Sequence, residues 1–336
     1  MRHRAILLVV LMLAACGLAQ AQTATAVPQS QIYRLTDKSL YQDGCFGPCL
    51  CPMLVSSAVT GTFRLSLASS DSLFTYYAVT DVNWIVPLSG SEIRITGSGT
   101  YKRGGEFALT EELQLDLVVD GNPVQKFDSG LVSGGSEFPA INLTISINGM
   151  VCRDTAITVA AVPVLPTEIQ PYSLFQSLYE QGCFGPCLCA VTGTPVYGKF
   201  GLVKLTESAG VVTFGVVDVN WHVLRSPSAT AIDAFPVNGY GIYQVTSPPG
   251  KQRMLLDLTL DGNPRQRFDS GLVPGGGGFW RIDIMLAANG FACFDQVFNL
   301  HARQVMPAVT LQSIQPERPK RGRAHGGGVL TPLPPQ

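Results

Sequence analysis

Two tight clusters of cysteine are the first candidates for chemistry. Gly44-Cys45-Phe46-Gly47-Pro48-Cys49-Leu50-Cys51 packs three thiols around a Gly-Pro, and Gly182-Cys183-Phe184-Gly185-Pro186-Cys187-Leu188-Cys189 repeats the arrangement. The stretches containing them, Ser39 to Cys51 and Ser177 to Cys189, agree at eleven of thirteen positions. A fourth cysteine stands far downstream of each, Cys152 and Cys293. Four thiolates would satisfy a tetrahedral soft metal such as zinc. The spacing lacks the paired Cys-x2-Cys knuckles of zinc sites, however, and four cysteines per copy fit structural disulfides in an oxidising compartment. No metal or cofactor is expected. Cysteines one residue apart are poorly placed to pair, so Cys49 and Cys51 take different partners. One bridge then stays within the Gly-Pro loop and the other ties the loop to Cys152; the spacing does not say which cysteine does which.

Carboxylates are the second candidates. Asp128-Ser129-Gly130 and Asp269-Ser270-Gly271 fall once in each half of the chain. The triplet resembles the Asp-Thr/Ser-Gly signature of aspartic proteases, and that resemblance implies a shared-proton pair made of Asp128 and Asp269. Here it comes late in its half and is followed by Leu131 or Leu272, where that family has a small or hydroxyl residue. A Ser-Gly turn after a strand accounts for it. Asp81-Val82-Asn83-Trp84 returns as Asp218-Val219-Asn220-Trp221, and Asp116 as Asp257. On a strand Asp81 and Asn83 share one face and Val82 and Trp84 the other. Such groups can hold a sugar hydroxyl, with Trp84 and Trp221 as stacking platforms, but they lack the dense oxygen ligands of a calcium loop. The plainer reading is hydrogen bonding between strands and burial of the indoles. His222 stands where the first copy has Ile85, so no histidine-based nucleophile belongs to the repeated unit.

The elements that must position these residues read as strands. Leu113, Leu115 and Leu117 alternate with Gln114 and Asp116, and Ile141, Leu143, Ile145 and Ile147 alternate with polar residues. Asp120-Gly121-Asn122-Pro123, which returns as Asp261-Gly262-Asn263-Pro264, is a hairpin tip, and Asn148-Gly149 and Asn289-Gly290 are further tight turns. The runs predict an all-β protein of two tandem homologous antiparallel domains, each a disulfide-stapled meander of about eight strands curled into a barrel or folded into a sandwich. The domains are expected at 31–161 and 172–303, joined by a Pro-rich linker at 162–171 and followed by a Pro/Gly/basic tail at 304–336.

Residues 1–21 read as an export signal: Arg2 and Arg4 precede an apolar run, Ala5 to Ala15, too short to span a bilayer. Leu13-Ala14-Ala15-Cys16 resembles the lipobox of bacterial lipoproteins, which implies acylation of Cys16 as the one route to a membrane; Ala19-Gln20-Ala21 is an ordinary cleavage site, followed by a leader at 22–30. Either way the chain is expected outside the cytoplasm, secreted, periplasmic or anchored to the envelope. A net charge of −1 offers no field for nucleic acid. These features predict a non-catalytic exported protein with a binding or structural role toward an envelope or surface component, glycan or protein. A carrier with a small apolar ligand inside a barrel is the alternative, and an aspartic-type hydrolase using Asp128 and Asp269 is the third.

Overall fold

Short turns between alternating strands leave each strand its chain neighbour as an antiparallel partner, and the computed structural model of the chain contains that meander twice. It describes residues 30–305 apart from 50, 52, 89, 136, 229–231, 247–249 and 276–280. The expected signal segment with Cys16, the leader up to residue 29, and the tail from residue 306 lie outside the described residues.

The first meander comprises β1 (Ser30–Leu35), β2 (Leu40–Phe46), β3 (Leu54–Ala58), β4 (Thr60–Ser70), β5 (Phe74–Leu88) and β6 (Ser91–Gly104). It continues with β7 (Thr110–Val119), β8 (Gln125–Asp128), β9 (Val132–Ser133), β10 (Ile141–Ser146) and β11 (Cys152–Pro163). Strands β4 to β8 pair in chain order, β8 meets β10, β10 pairs with β11, and β11 returns to β1, which also pairs with β4. The path of paired strands therefore closes on itself. Counting β1 with β2, β3 with β4 and β8 with β9 as interrupted single strands, eleven segments become the eight runs expected.

The second meander follows the same course through β12 (Ile169–Leu174), β13 (Ser177–Cys183), β14 (Thr192–Ser208), β15 (Val211–Leu224) and β16 (Ala234–Thr246). Its remaining strands are β17 (Lys251–Leu260), β18 (Gln266–Asp269), β19 (Val273–Pro274), β20 (Arg281–Ala287) and β21 (Phe294–Gln304). Strand β21 returns to β12 and β13.

Alternation sends one face of each strand inward. Trp84, Tyr101 and Phe127 are fully buried in the first meander, and Trp221, Phe268 and Phe298 in the second. Gly61, at φ +149°, lets β4 pass close over β5: a Cβ there would collide with the Asn83 carbonyl and the Trp84 backbone. Between β1 and β2 the ladder is interrupted, and buried Ser39 stands in for it. Its hydroxyl donates to the Ala160 carbonyl (2.8 Å) and accepts from the Ala160 N–H (3.1 Å). Ser177 does the same at His301.

The cysteines close each meander at the return strand. Cys45 pairs with Cys51 and Cys49 with Cys152; Cys183 pairs with Cys189 and Cys187 with Cys293. Beside each long bridge sits a buried carboxylate that the sequence reading did not single out. Asp154 accepts the backbone N–H groups of Asn148 (3.0 Å), Met150 (2.7 Å) and Thr155 (2.8 Å), so it ties the Asn-Gly turn to the strand carrying Cys152. Asp295 does so for Asn289, Phe291 and Gln296.

The Cys49–Cys152 bridge spans 103 residues and the Cys45–Cys51 bridge 6. If bridges act by restricting the unfolded chain, Cys49→Ala with Cys152→Ala lowers the unfolding free energy by about 4.7 kcal/mol, and Cys45→Ala with Cys51→Ala by about 2 kcal/mol. Urea unfolding of the two double variants measures both; equal losses would contradict the loop-closure account.

Candidate functional site

The segment expected as a linker is built into the fold. Val162 and Pro163 belong to β11, Pro166–Glu168 is a single 3-10 turn, and Ile169 opens β12. Val164 is buried with Ile32, Val203 and Val217, and a second apolar contact joins Ile85 to Ile242 and Leu255. These contacts explain where alternation fails. Residues 82–86 of β5 and 254–258 of β17 are buried throughout, because one face meets its own core and the other meets the opposite meander.

Polar groups complete the junction. Asn83 Nδ2 donates to the Gly241 carbonyl (2.6 Å). Arg94 reaches Asp257 Oδ2 through Nε (3.2 Å) and Nη2 (2.6 Å), and only 7% of either side chain is exposed. Asp81 and Asp218 each sit on a β-bulge, at φ 53°, where the register slips between Val79 and Val82 and between Val216 and Val219. Aspartate tolerates this backbone better than a branched residue, and a bulge re-aims the side chain it carries. Both carboxylates turn to one guanidinium: Arg64 Nε lies 3.3 Å from Asp81 Oδ2, and its Nη2 pairs with Asp218 Oδ1. The sequence-duplicated aspartates thus meet across the junction. Asn220 stays exposed, and Trp84 and Trp221, at 0% exposure, offer no open ring face.

Next to Arg64 the two meanders leave a polar cleft of about 680 Å³. Asp81, Thr96 and Ser98 line it from the first meander, and Tyr240, Asp257 and Arg265 from the second. Arg265 Nη1 donates to the Tyr240 hydroxyl (2.7 Å) and its Nη2 lies 3.7 Å from Asp81 Oδ1. Burial pushes the Tyr240 phenol up to about 12 against the opposing charge of Arg265, so it stays a neutral hydroxyl. Asp257 is held on both oxygens, by Arg94 on Oδ2 and by Arg267 Nε on Oδ1 (3.2 Å). The wall therefore mixes cationic donors, carboxylate acceptors and hydroxyls. Such a surface matches a polar, multiply hydrogen-bonding ligand.

The Asp-Ser-Gly triplets form turns. Asp128 accepts from the Gly130 N–H (2.7 Å) and the Gln114 amide (2.9 Å), and Ser129 Oγ accepts from the Leu113 N–H (2.9 Å). Asp269 accepts from the Gly271 N–H (2.8 Å) and from Arg253 through Nε (3.1 Å) and Nη2 (2.7 Å). They fasten β8 to β7 and β18 to β17 at the weakest part of each closed path, where one residue pair joins β8 to β10 and one joins β18 to β20. Among the described residues no hydrogen bond links Asp128 to Asp269. His222 stacks on Tyr197, and the His301 ring pairs with Asp283 (2.6 Å) while Ser177 binds the His301 backbone. No group of three or more His, Cys, Asp or Glu among the described residues is arranged to hold a metal ion.

Arg64, Arg94 and Arg265 were not singled out from the sequence. The signal available was their failure to repeat: by register they stand where the other copy has Gly201, Pro236 and Val124. Comparison with known proteins finds no matching family, no matching curated protein and no matching solved structure.

Arg94→Ala leaves the buried Asp257 carboxylate short of a partner and is expected to destabilise the chain by about 3 kcal/mol, the usual scale for breaking a buried pair; unfolding unchanged by this substitution would show that the pair does not hold the junction. A second prediction concerns acid. Burial alone would raise the Asp269 carboxyl, but the hydrogen bonds from Arg253 and Gly271 outweigh it and hold it below the ordinary value. The Leu165 N–H, with Arg34, lowers Glu168 likewise. A carboxyl held lower in the folded chain stabilises it above the unfolded value and loses that contribution as pH falls through the folded one. The melting temperature should therefore drop below about pH 4, and Arg253→Ala should flatten the drop; a melting temperature independent of acid would contradict both shifts.

Proposed function

We propose that this chain is a non-catalytic exported binding protein whose ligand enters the cleft between the two meanders. One observation carries the reading: the cleft is polar, open, and built jointly by Asp81 and Ser98 on one side and Tyr240, Asp257 and Arg265 on the other. A duplicated β-unit thereby acts as a single two-part receptor. Four disulfides, together with the signal-like N-terminus, support an oxidising compartment outside the cytoplasm. The inward positions of both meanders are occupied by large side chains such as Trp84 and Trp221, which favours the cleft over the interior as the place for a ligand. The partner is a polar component of the cell envelope or surface, a glycan or a protein. Cys16, if acylated, would hold the protein beside it.

The test uses the full oxidised chain, with isolated envelopes of the source cells as probe. Binding should be saturable and fall about tenfold in Arg265→Ala, the loss expected for one charge-assisted hydrogen bond. The mature chain should begin at Gln22 or at an acylated Cys16, with no free thiol in the two cysteine clusters. Binding indifferent to Arg265→Ala, or a cytoplasmic chain with reduced cysteines, would defeat the reading.

A further inference from the structure

We propose that the second meander carries a separate carbohydrate site at the end of its strands, in a cavity of about 300 Å³ between the Asp261-Gly262-Asn263-Pro264 turn and β13. Partly exposed Phe235 lines it, with Tyr179 behind at 84° and 6.1 Å between ring centroids. Arg225 lies over the Phe235 ring (5.5 Å) and is paired with Asp261 (3.0 Å). The charges offset each other, so the cavity is not biased toward an anion. Its polar lining is dominated by the amides of Gln181, Asn263, Gln266 and Gln296. Amides offer donors and acceptors side by side, as vicinal hydroxyls do, and an aromatic wall suits the apolar face of a pyranose. Gln296 Oε1 is buried and has no hydrogen-bond partner among the described residues, an acceptor that a ligand hydroxyl would satisfy.

The other copy is the internal control. Tyr41, Asp120, Asn122, Pro123 and Gln125 match Tyr179, Asp261, Asn263, Pro264 and Gln266. Around that shared frame the rim differs: Leu88, Ile93, Asp43 and Thr155 stand where the second meander has Arg225, Phe235, Gln181 and Gln296. In the first meander those polar groups satisfy one another, Thr155 Oγ1 donating to Asp43 (2.8 Å) and Arg153 pairing with it (3.0 Å). In the second, the frame is kept, the ion pair with the return strand is gone, and an aromatic ring, a guanidinium and the Gln296 side chain line the space. The site is distinct from the junction cleft, with which it shares no lining residue.

Titration of the isotopically labelled, oxidised full chain with methyl pyranosides of glucose, galactose, mannose and N-acetylglucosamine, and with their short oligomers, tests this by amide shift mapping. At least one sugar should move resonances at Gln181, Arg225, Gln266 and Gln296, and its affinity should fall about tenfold in Arg225→Ala and in Gln296→Leu. Arg225 is half exposed, and Gln296→Leu removes an unsatisfied acceptor, so both variants should keep the parent's melting temperature. No response to any of these sugars, shifts confined to the junction around Arg265, or affinity unchanged in both variants would overturn the proposal.

Discussion

Each meander depends on the return of its last strand to its first. Strand β11 is paired with β10 on one side and with β2 and then β1 on the other, and β21 does the same with β20, β13 and β12. Without that return, two long strand edges would stand open as templates for other chains. Within each meander the seam is also the contact of greatest sequence separation, so it orders the most chain of that meander when it forms. Three devices converge on it. The long disulfide crosses it, the Ser39 or Ser177 hydroxyl fills the gap where the first strand bends, and Asp154 or Asp295 fixes the turn that launches the return strand. The cysteine clusters, which as bare spacing invite a metal or redox role, belong to this closure.

Once the path is closed, the inner and outer faces come under different constraints. Inside, the copies agree: Trp84 with Trp221, Phe127 with Phe268, and the buried pair of Tyr101 with Glu111 against Tyr243 with Gln252. Outside, they differ, and the differences carry the interactions. Ile85, Arg64 and Arg94 of one copy meet Ile242, Asp218 and Asp257 of the other. A symmetric pair of faces could not have made these contacts, because His222, Gly201 and Pro236 occupy the corresponding places in the second meander. The junction cleft and the end cavity both lie where the copies have diverged over a common frame. This is the expected division for function placed on a scaffold whose interior is fixed by packing.

Much of the fold was legible in the chain because its signals are local. Alternation marked Leu113 to Leu117 and Ile141 to Ile147 as strands, and the Asp-Gly-Asn-Pro and Asn-Gly turns marked the hairpins; the structure has them there. Asp81 and Asp218 stood out by repetition, and they do meet at the junction. Their meeting could not be read, since it runs through Arg64, which the second copy lacks, and through bulges that no period announces. The outer-face apolar residues Ile32, Val203 and Val217, and Ile85, Ile242 and Leu255, were the trace of a covered surface, too sparse to stand out from ordinary strand sequence.

By itself, then, the sequence determined the all-strand character of each half, the likeness of the halves and the disulfide character of the cysteines. Each of these follows from neighbours along the chain or from comparing one half with the other. The tertiary structure alone decided which cysteine takes which partner, which outer faces cover each other, and that Arg94 is buried on Asp257, 163 residues away. Contacts at that range depend on how two closed surfaces fit, and fit in space leaves no periodic mark on the chain.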